Sequence, residues 1–312
     1  MRSRLAAIVA AGCIMALDAT GIPAVAPAAP PAALEPRPAV RQEMAGLREQ
    51  IAVYYFPDTA GRDLAEIAGK FQNYLTAVMG PALSARAKVL AFLHLADLEK
   101  YIESSKGTDH YPTAGVIHAE VALEKRKRWN LAMVGASVTN EGKVTHTISV
   151  VVRRDSPITE LAQIRGKRVI APELWGRRAD RFEGEVLANA VRLSDLGELI
   201  PTTSSISAVM GVMYGQADAA LMSSRVLEVL QDRSAAVWRM MREIHVSRPL
   251  PVLLTVLFQP VEAGEAAAIT RELLRMHETT EGKALFDYTR LSHVVPRAWT
   301  ELYSEKELEI AD

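Results

Sequence analysis

The stretch Glu173-Leu174-Trp175-Gly176-Arg177-Arg178 sets a flat aromatic beside two guanidinium groups, directly after an apolar run that should be a strand. A tryptophan offers a stacking face, and an arginine can grip a carboxylate or phosphate through two parallel N–H bonds. Further on, Thr202-Thr203-Ser204-Ser205 lines up four hydroxyls just before a segment with helical apolar spacing. Hydroxyls and unpaired amides at a helix start can hold an anion, but the same residue types serve as an N-cap and solvated turn. Both accounts stand for this loop. For Trp175, Arg177 and Arg178 the plain alternative is a surface loop with the ring packed down and the arginines in water.

Catalytic chemistry finds less support. None of the seven histidines forms His-Glu-x-x-His or sits four residues from another on a plausible helix. His94, His110 and His118 could converge, although scattered core or surface positions are the plainer account. No Gly-x-Ser-x-Gly elbow or Ser-x-x-Lys pair is present, and Gly166-Lys167-Arg168 lacks the upstream glycine of a P-loop. The run Glu124 to Arg128 looks basic, yet it ends a predicted helix, where positive charge suits the dipole. No catalytic residue, metal ligand or cofactor site is therefore predicted, and no enzyme.

The elements that must position these loops alternate. Strands are predicted at Ile51 to Phe56, Lys88 to Leu95, Trp129 to Val134, Thr145 to Arg153, Lys167 to Ala171, Glu198 to Pro201, Ala217 to Met222 and Leu253 to Phe258. Helices are predicted over Leu64 to Val78, from Asp97 as cap to Ser104, and over Val116 to Arg128, Arg181 to Val191, Ile206 to Tyr214, Arg225 to Gln231, Val261 to Met276 and Thr279 to Tyr288, with a last segment at Trp299 to Tyr303. Such alternation argues for parallel α/β sheets. Ligands of open α/β sheets lie beyond the carboxyl ends of the strands. Five junctions qualify: Tyr54 to Asp58, Gly135 to Thr139, Pro172 to Arg178, Thr202 to Ser207, and Ser223-Ser224.

Composition is globular: 312 residues, 49% hydrophobic and 23% charged. A net charge of −1 supplies no field for nucleic acid or an anionic membrane. Arg2 and Arg4 followed by the apolar run Leu5 to Leu17 and a small-residue region resemble an export signal, with cleavage expected after Ala28. The run is shorter than the roughly 20 apolar residues of a membrane span. Residues 29–40 are a Pro/Ala-rich linker, and Cys13, the one cysteine, lies in a poor lipoprotein box. A mature chain without cysteine excludes disulfides, thiolate metal sites and a cysteine nucleophile.

The stretch Ser205 to Ser223, SISAVMGVMYGQADAALMS, puts Ile206, Val209, Met210 and Met213 on one helix face, stops at Gly215, and turns into a strand of small residues. This pattern resembles the second lobe of type 2 periplasmic solute-binding proteins, in particular the phosphonate-binding and aliphatic-sulfonate-binding branch. Ser156-Pro157-Ile158-Thr159-Glu160-Leu161 with Ile164 to Val169 is similar to the segment entering that lobe. Trp129 to Gly135 resembles the family's Asp-(apolar)-Ala-x-x-Gly strand with Asn130 for Asp, and Thr280-Glu281-Gly282-Lys283 its Pro-Glu-Gly-Lys helix start. The likeness runs from Ile51 to Tyr303.

The resemblance implies two α/β lobes, a hinge of two crossover strands and a ligand between the lobes. One crossover is expected at Thr145 to Arg153, the other at His245 to Leu257. Lobe one would take residues 41–147 and 253–312, lobe two 148–252. Expected ligand-binding residues are Tyr54 or Tyr55 (alternation lets only one face the cleft), Asp58, Gly135, Ala136, Ser137, Trp175, Gly176, Arg177, Thr203, Ser204, Ser205 and Ser223. The implied function is capture of a small anionic or zwitterionic organic solute for an ABC-type permease, in the periplasm or after export. Phosphonate binders carry a hydroxyl-rich Ser-x-Ser-Gly-like loop where this chain has Glu173 to Arg178, which predicts a different ligand. Two alternatives stay open: an exported accessory protein that docks a protein partner, and an enzyme on the same fold.

Overall fold

The computed structural model describes residues 50–56, 62–79, 86–173 and 179–310, all within one compact unit. The leader, the linker, Asp58 and the loop holding Trp175, Gly176 and Arg177 lie outside these residues.

The architecture is mixed α/β in two lobes. The first lobe is a six-stranded sheet ordered β13-β4-β12-β3-β1-β2. Its strands are β1 (Gln50–Tyr55), β2 (Ala87–Phe92), β3 (Ala114–His118), β4 (Leu131–Thr139), β12 (Leu253–Phe258) and β13 (Leu291–Pro296). The second is a five-stranded sheet ordered β10-β6-β9-β7-β8, built from β6 (Ile148–Arg153), β7 (Arg168–Pro172), β8 (Glu198–Thr202), β9 (Ala219–Ser223) and β10 (Met241–Val246). The hinge is a separate two-stranded ladder, β5 (Thr145–His146) against β11 (Leu250–Pro251).

Helices cover the sheets for reasons readable in their spacing. In α1 (Leu64–Met79), Ile67, Phe71 and Tyr74 share one face and are buried. Helix α2 (Leu95–Ser105) buries Leu95, Leu98 and Ile102 likewise. Helix α4 (Ser205–Met213) is capped by Ser204, whose Oγ accepts from Ser207 N–H, and ends where Gly215 takes φ +73°. Small Ala219 and Ala220 then let β9 sit fully buried beneath it. Ser223 caps α5 (Ser224–Arg233), and α6 (Ala263–Leu274), α7 (Thr280–Thr289) and α8 (Glu305–Ile310) complete the set used below. No helix among the described residues is long and apolar enough to cross a membrane.

Several elements differ from expectation. The sheets are mixed rather than parallel: β12 pairs antiparallel with β3 and β4, and β6 antiparallel with β9 and β10. Strands that return through a hinge enter a lobe against its βα direction. The predicted helix Val116 to Arg128 is strand β3 followed by α3 (Ala119–Glu124). Val116, Ala119 and Leu123 keep helical spacing across that boundary, so periodicity could not see it; the switch is made by His118, whose Nδ1 accepts from Glu120 N–H. The strand at Trp129 to Val134 continues through Gly135, Ala136 and Ser137 to Thr139. Arg181 to Val191 is a short turn, Ala179–Arg181, and a π-turn over Phe182–Val186. The helix expected from Asp97 begins at Leu95. Strands β10 and β13 were not foreseen.

Candidate functional site between the lobes

The site assembles where β1, β3 and β9 end beside the hinge. Phe56, just past β1, stacks on the His118 ring at 5.6 Å with 13° between planes. His146, on hinge strand β5, meets His118 edge-on at 6.0 Å. From the second lobe, the Arg225 guanidinium lies over Phe56 at 5.0 Å and donates through Nη2 to the Thr289 carbonyl of the first lobe at 2.5 Å. Ser223 Oγ is 3.0 Å from His146 Nδ1 and accepts from Arg225 N–H at 3.3 Å. Ser205 Oγ accepts from Ser223 N–H at 3.2 Å, fixing the starts of α4 and α5 against each other.

A backbone bond fixes the tautomer of one of the two histidines. Nδ1 of His118 accepts from Glu120 N–H at 3.3 Å, so the neutral ring carries its proton on Nε2. The Ser223–His146 contact fits either tautomer of His146, with the Ser223 hydroxyl donating to Nδ1 or accepting from it. Both rings are held neutral. Burial, with the nearby Arg225 charge, lowers the His146 pKa to about 3. Burial, then His146 and Arg225, holds His118 well below the usual imidazole range. The result is a buried cluster of imidazoles and hydroxyls beside one guanidinium, whose positive charge suits an oxyanion, with Ser223 and His146 in hydrogen-bond contact. Among the described residues no group of three or more His, Cys, Asp or Glu could hold a metal ion.

A second constellation ties the lobes together. Arg181 holds both carboxylate oxygens of Glu120, Nε to Oε2 at 2.5 Å and Nη2 to Oε1 at 2.7 Å. The side chains are 7% and 8% exposed. Arg181 Nη1 also donates to Glu307 on α8 at 2.6 Å. Burial works against the Arg181 charge, but the two carboxylates outweigh it and its pKa is raised. Burial also opposes Glu307 ionisation; bonds from Ser304 and Arg181 prevail and bring its pKa down to about 2. Arg248, beside the hinge, pairs with both Glu307 and Glu185. Helix α8 is itself fastened to the first lobe, since Arg126 Nη2 donates to Leu308 O at 2.7 Å.

A sequence model of the family described as the periplasmic substrate-binding protein of the phosphonate ABC transporter matches residues 118–298, more than half of the chain. The chain belongs to that family. Its members bind substrates for transport and are not enzymes. Three solved structures share the fold. The binding component of a phosphonate transporter from Pseudomonas aeruginosa superposes with TM-score 0.67 at 14% identity, over 83% of this chain and 85% of that one. PhnD1 of Prochlorococcus marinus, in complex with methylphosphonate, gives 0.64 at 12%, over 83% and 97%. The aliphatic sulphonate-binding protein SsuA of Escherichia coli gives 0.55 at 13%, over 85% and 91%. Comparison with curated proteins finds no match.

Against the predicted site residues, the structure brings Ser205 and Ser223 into the cluster around His146 and leaves others outside it. Tyr54 packs with α1 and α7 and lines a cavity of about 30 Å³ inside the first lobe, with Ser137 and Thr255. Burial raises its phenol pKa to about 12 against the pull of Arg225 and Arg62. Tyr55 points to the opposite core, among Leu95, Leu98 and Ile117. Gly135 sits mid-strand, paired with Thr255 and Pro296, and a Cβ there would strike the Val295 carbonyl. Ala136 is core. Ser204 spends its hydroxyl on the α4 cap, and Thr203 is exposed. Asp58, Trp175, Gly176 and Arg177 lie outside the described residues.

Phe56, His118, His146, Arg225, Glu120 and Arg181 were not anticipated as site residues. One signal existed for Arg225: a cation in the first turn of a helix opposes the dipole, so an arginine two residues after an N-cap serine calls for a reason beyond the helix. His118 was weighed only with His94 and His110; the structure sets it against His146 instead.

Proposed function

We propose that the protein is an exported solute-binding protein that captures a small anionic or zwitterionic organic solute between its lobes and presents it, unchanged, to an ABC-type permease. The reading takes residues 1–28 as signal peptide, 29–40 as linker, 41–147 with 253–312 as the first lobe and 148–252 as the second. One observation carries it: donors from both lobes and the hinge converge on one buried point, with Arg225, Ser205 and Ser223 from one side and His118 and His146 from the other two. Lobe closure would complete that donor wall. The test is titration calorimetry of the mature protein with methylphosphonate, methanesulfonate and 2-aminoethylphosphonate, with native mass spectrometry for co-purified solutes. Binding to none of these, with no co-purified solute, sinks the reading.

The docking alternative draws on a different fact: the lobes already close on their own Arg181–Glu120 pair. A buried ion pair between the lobes can hold a fixed surface for a partner. Solution scattering separates the two, because a docking protein keeps one radius of gyration whatever solute is added.

A further inference from the structure

A second pair of histidines belongs to the first lobe alone. His277 lies in the turn Met276–Glu278 between α6 and α7, and His293 on β13, an edge strand of the six-stranded sheet. Their ring centroids are 5.4 Å apart with 51° between planes, and both residues are half-buried. Two imidazoles on one metal ion, with bonds of about 2.0–2.1 Å, bring their centroids to roughly 5 Å, so the observed spacing fits such a pair. Nδ1 of His277 is buried and has no hydrogen-bond partner among the described residues. A buried polar atom of that kind calls for an explanation, and an ion or a water is one. His293 is held from behind. The register of β13 on β4 slips between Leu291 and His293, which leaves Ser292 as an extra residue. Its Oγ lies 2.9 Å from His293 Nδ1, and 3.2 and 3.3 Å from the carbonyl oxygens of Thr139 and Val138. Carbonyls only accept, so a hydroxyl that donates to either of them accepts from Nδ1–H, and the His293 lone pair then lies on Nε2. Metal-binding histidines are commonly steadied in this way through the nitrogen that does not bind.

We propose that His277 and His293 bind a divalent transition-metal ion of the copper–zinc class through one imidazole nitrogen each, with Ser292 orienting His293. Two protein ligands are fewer than a structural zinc site holds, so water completes the shell and the ion exchanges with solvent. Imidazole suits both ions, and copper(II) binds a given nitrogen site more tightly than zinc. Bound there, the ion ties the turn before α7 to the edge of the sheet. The site lies within one lobe, so it requires neither a solute nor closure and is tested apart from both.

The test is calorimetry of the untagged protein with zinc chloride and with copper(II) chloride, near neutral pH in a buffer that does not chelate. One ion per chain is expected, copper the tighter. His277→Ala and His293→Ala should each weaken binding at least about a hundredfold, and Ser292→Ala about tenfold, the range for a lost orienting contact. His94→Gln, which alters an exposed histidine elsewhere, should leave affinity unchanged. No binding by the parent protein, or affinity that survives either substitution of the pair, overturns the proposal. Parent-like affinity of Ser292→Ala strikes out the hydroxyl's part in it. Should a variant fail to fold, electron paramagnetic resonance of copper(II) on the unsubstituted protein decides. Coupling to two imidazole nitrogens is the expected result, and coupling to one or none rejects the site.

Discussion

Arg181 and Glu120 form a bidentate ion pair across the two lobes, with both side chains more than nine-tenths buried. Such a pair repays its desolvation only while both members and their other bonds are in place. Cutting one member leaves an uncompensated charge in the interior. Arg181→Met is accordingly expected to lower unfolding free energy by about 3–5 kcal/mol and to expand the protein in solution scattering. The double variant Glu120→Leu/Arg181→Met should recover most of the stability but not the compaction. A double-mutant cycle in urea denaturation measures the first quantity, and radius of gyration the second.

Acid should unfold the protein earlier than its carboxylates alone would dictate. His118 and His146 have pKa values depressed in the folded state, His146 to about 3. The unfolded chain takes up protons on both rings near pH 6.5 while the folded chain does not, so stability falls as pH drops below that point. Each ring contributes a slope of about 1.4 kcal/mol per pH unit. Glu307, depressed to about 2, adds a loss of the same sign only below about pH 4.5. Denaturation series between pH 7.5 and 4.5 therefore read the histidines, and His146→Gln should flatten the slope. A slope unchanged by that substitution would count against the assignment.

Arg225 bears on both charge and closure. Replacing it with methionine removes the donor to Thr289 and a charge that adds to burial, the larger cause, in holding both rings neutral. We expect affinity for methylphosphonate to fall at least about tenfold, and the His146 pKa to rise from about 3 while burial still holds it below the ordinary range. NMR titration of the ring carbons follows the second effect independently of any ligand.

Gly282 explains its own motif. It lies in the first turn of α7, where Thr279 Oγ1 accepts from its N–H and the Met276 carbonyl occupies the space a Cβ would need. Gly282→Ala would drive a methyl into that carbonyl and should cost about 1–3 kcal/mol, read as a fall in melting temperature. An unchanged melting temperature would mean the turn can relax.

The parts legible in sequence were those written in local periodicity. Leu253–Phe258 reads as a buried strand and is one. The helix-turn-strand over Ser205–Ser223 was legible because Ser204, Gly215 and the small residues of β9 each carry a local rule. Strand β3 was not, because Val116, Ala119 and Leu123 keep helical spacing through it and the break depends on a side chain, His118, bonding the backbone two residues on. The site was half legible for a related reason. Ser205 and Ser223 announce themselves as caps. The pairing of His118 with His146, and the reach of Arg225 to Phe56 and Thr289, exist only once the two lobes and the hinge are folded together.

Helix α8 grips Arg181 through Glu307 while Arg126 fastens it to the first lobe. That gives it the character of a shackle whose tension changes when the lobes part. An environment-sensitive fluorophore on an exposed position of this helix, such as Glu309→Cys, would change emission as Glu307 lets go of Arg181. Cys13 is the one cysteine in the sequence, so pairing the change with Cys13→Ser leaves no competitor for the dye. The element that stabilises the shut form is thus also the natural place from which to watch it open, in real time and without labelling the cleft.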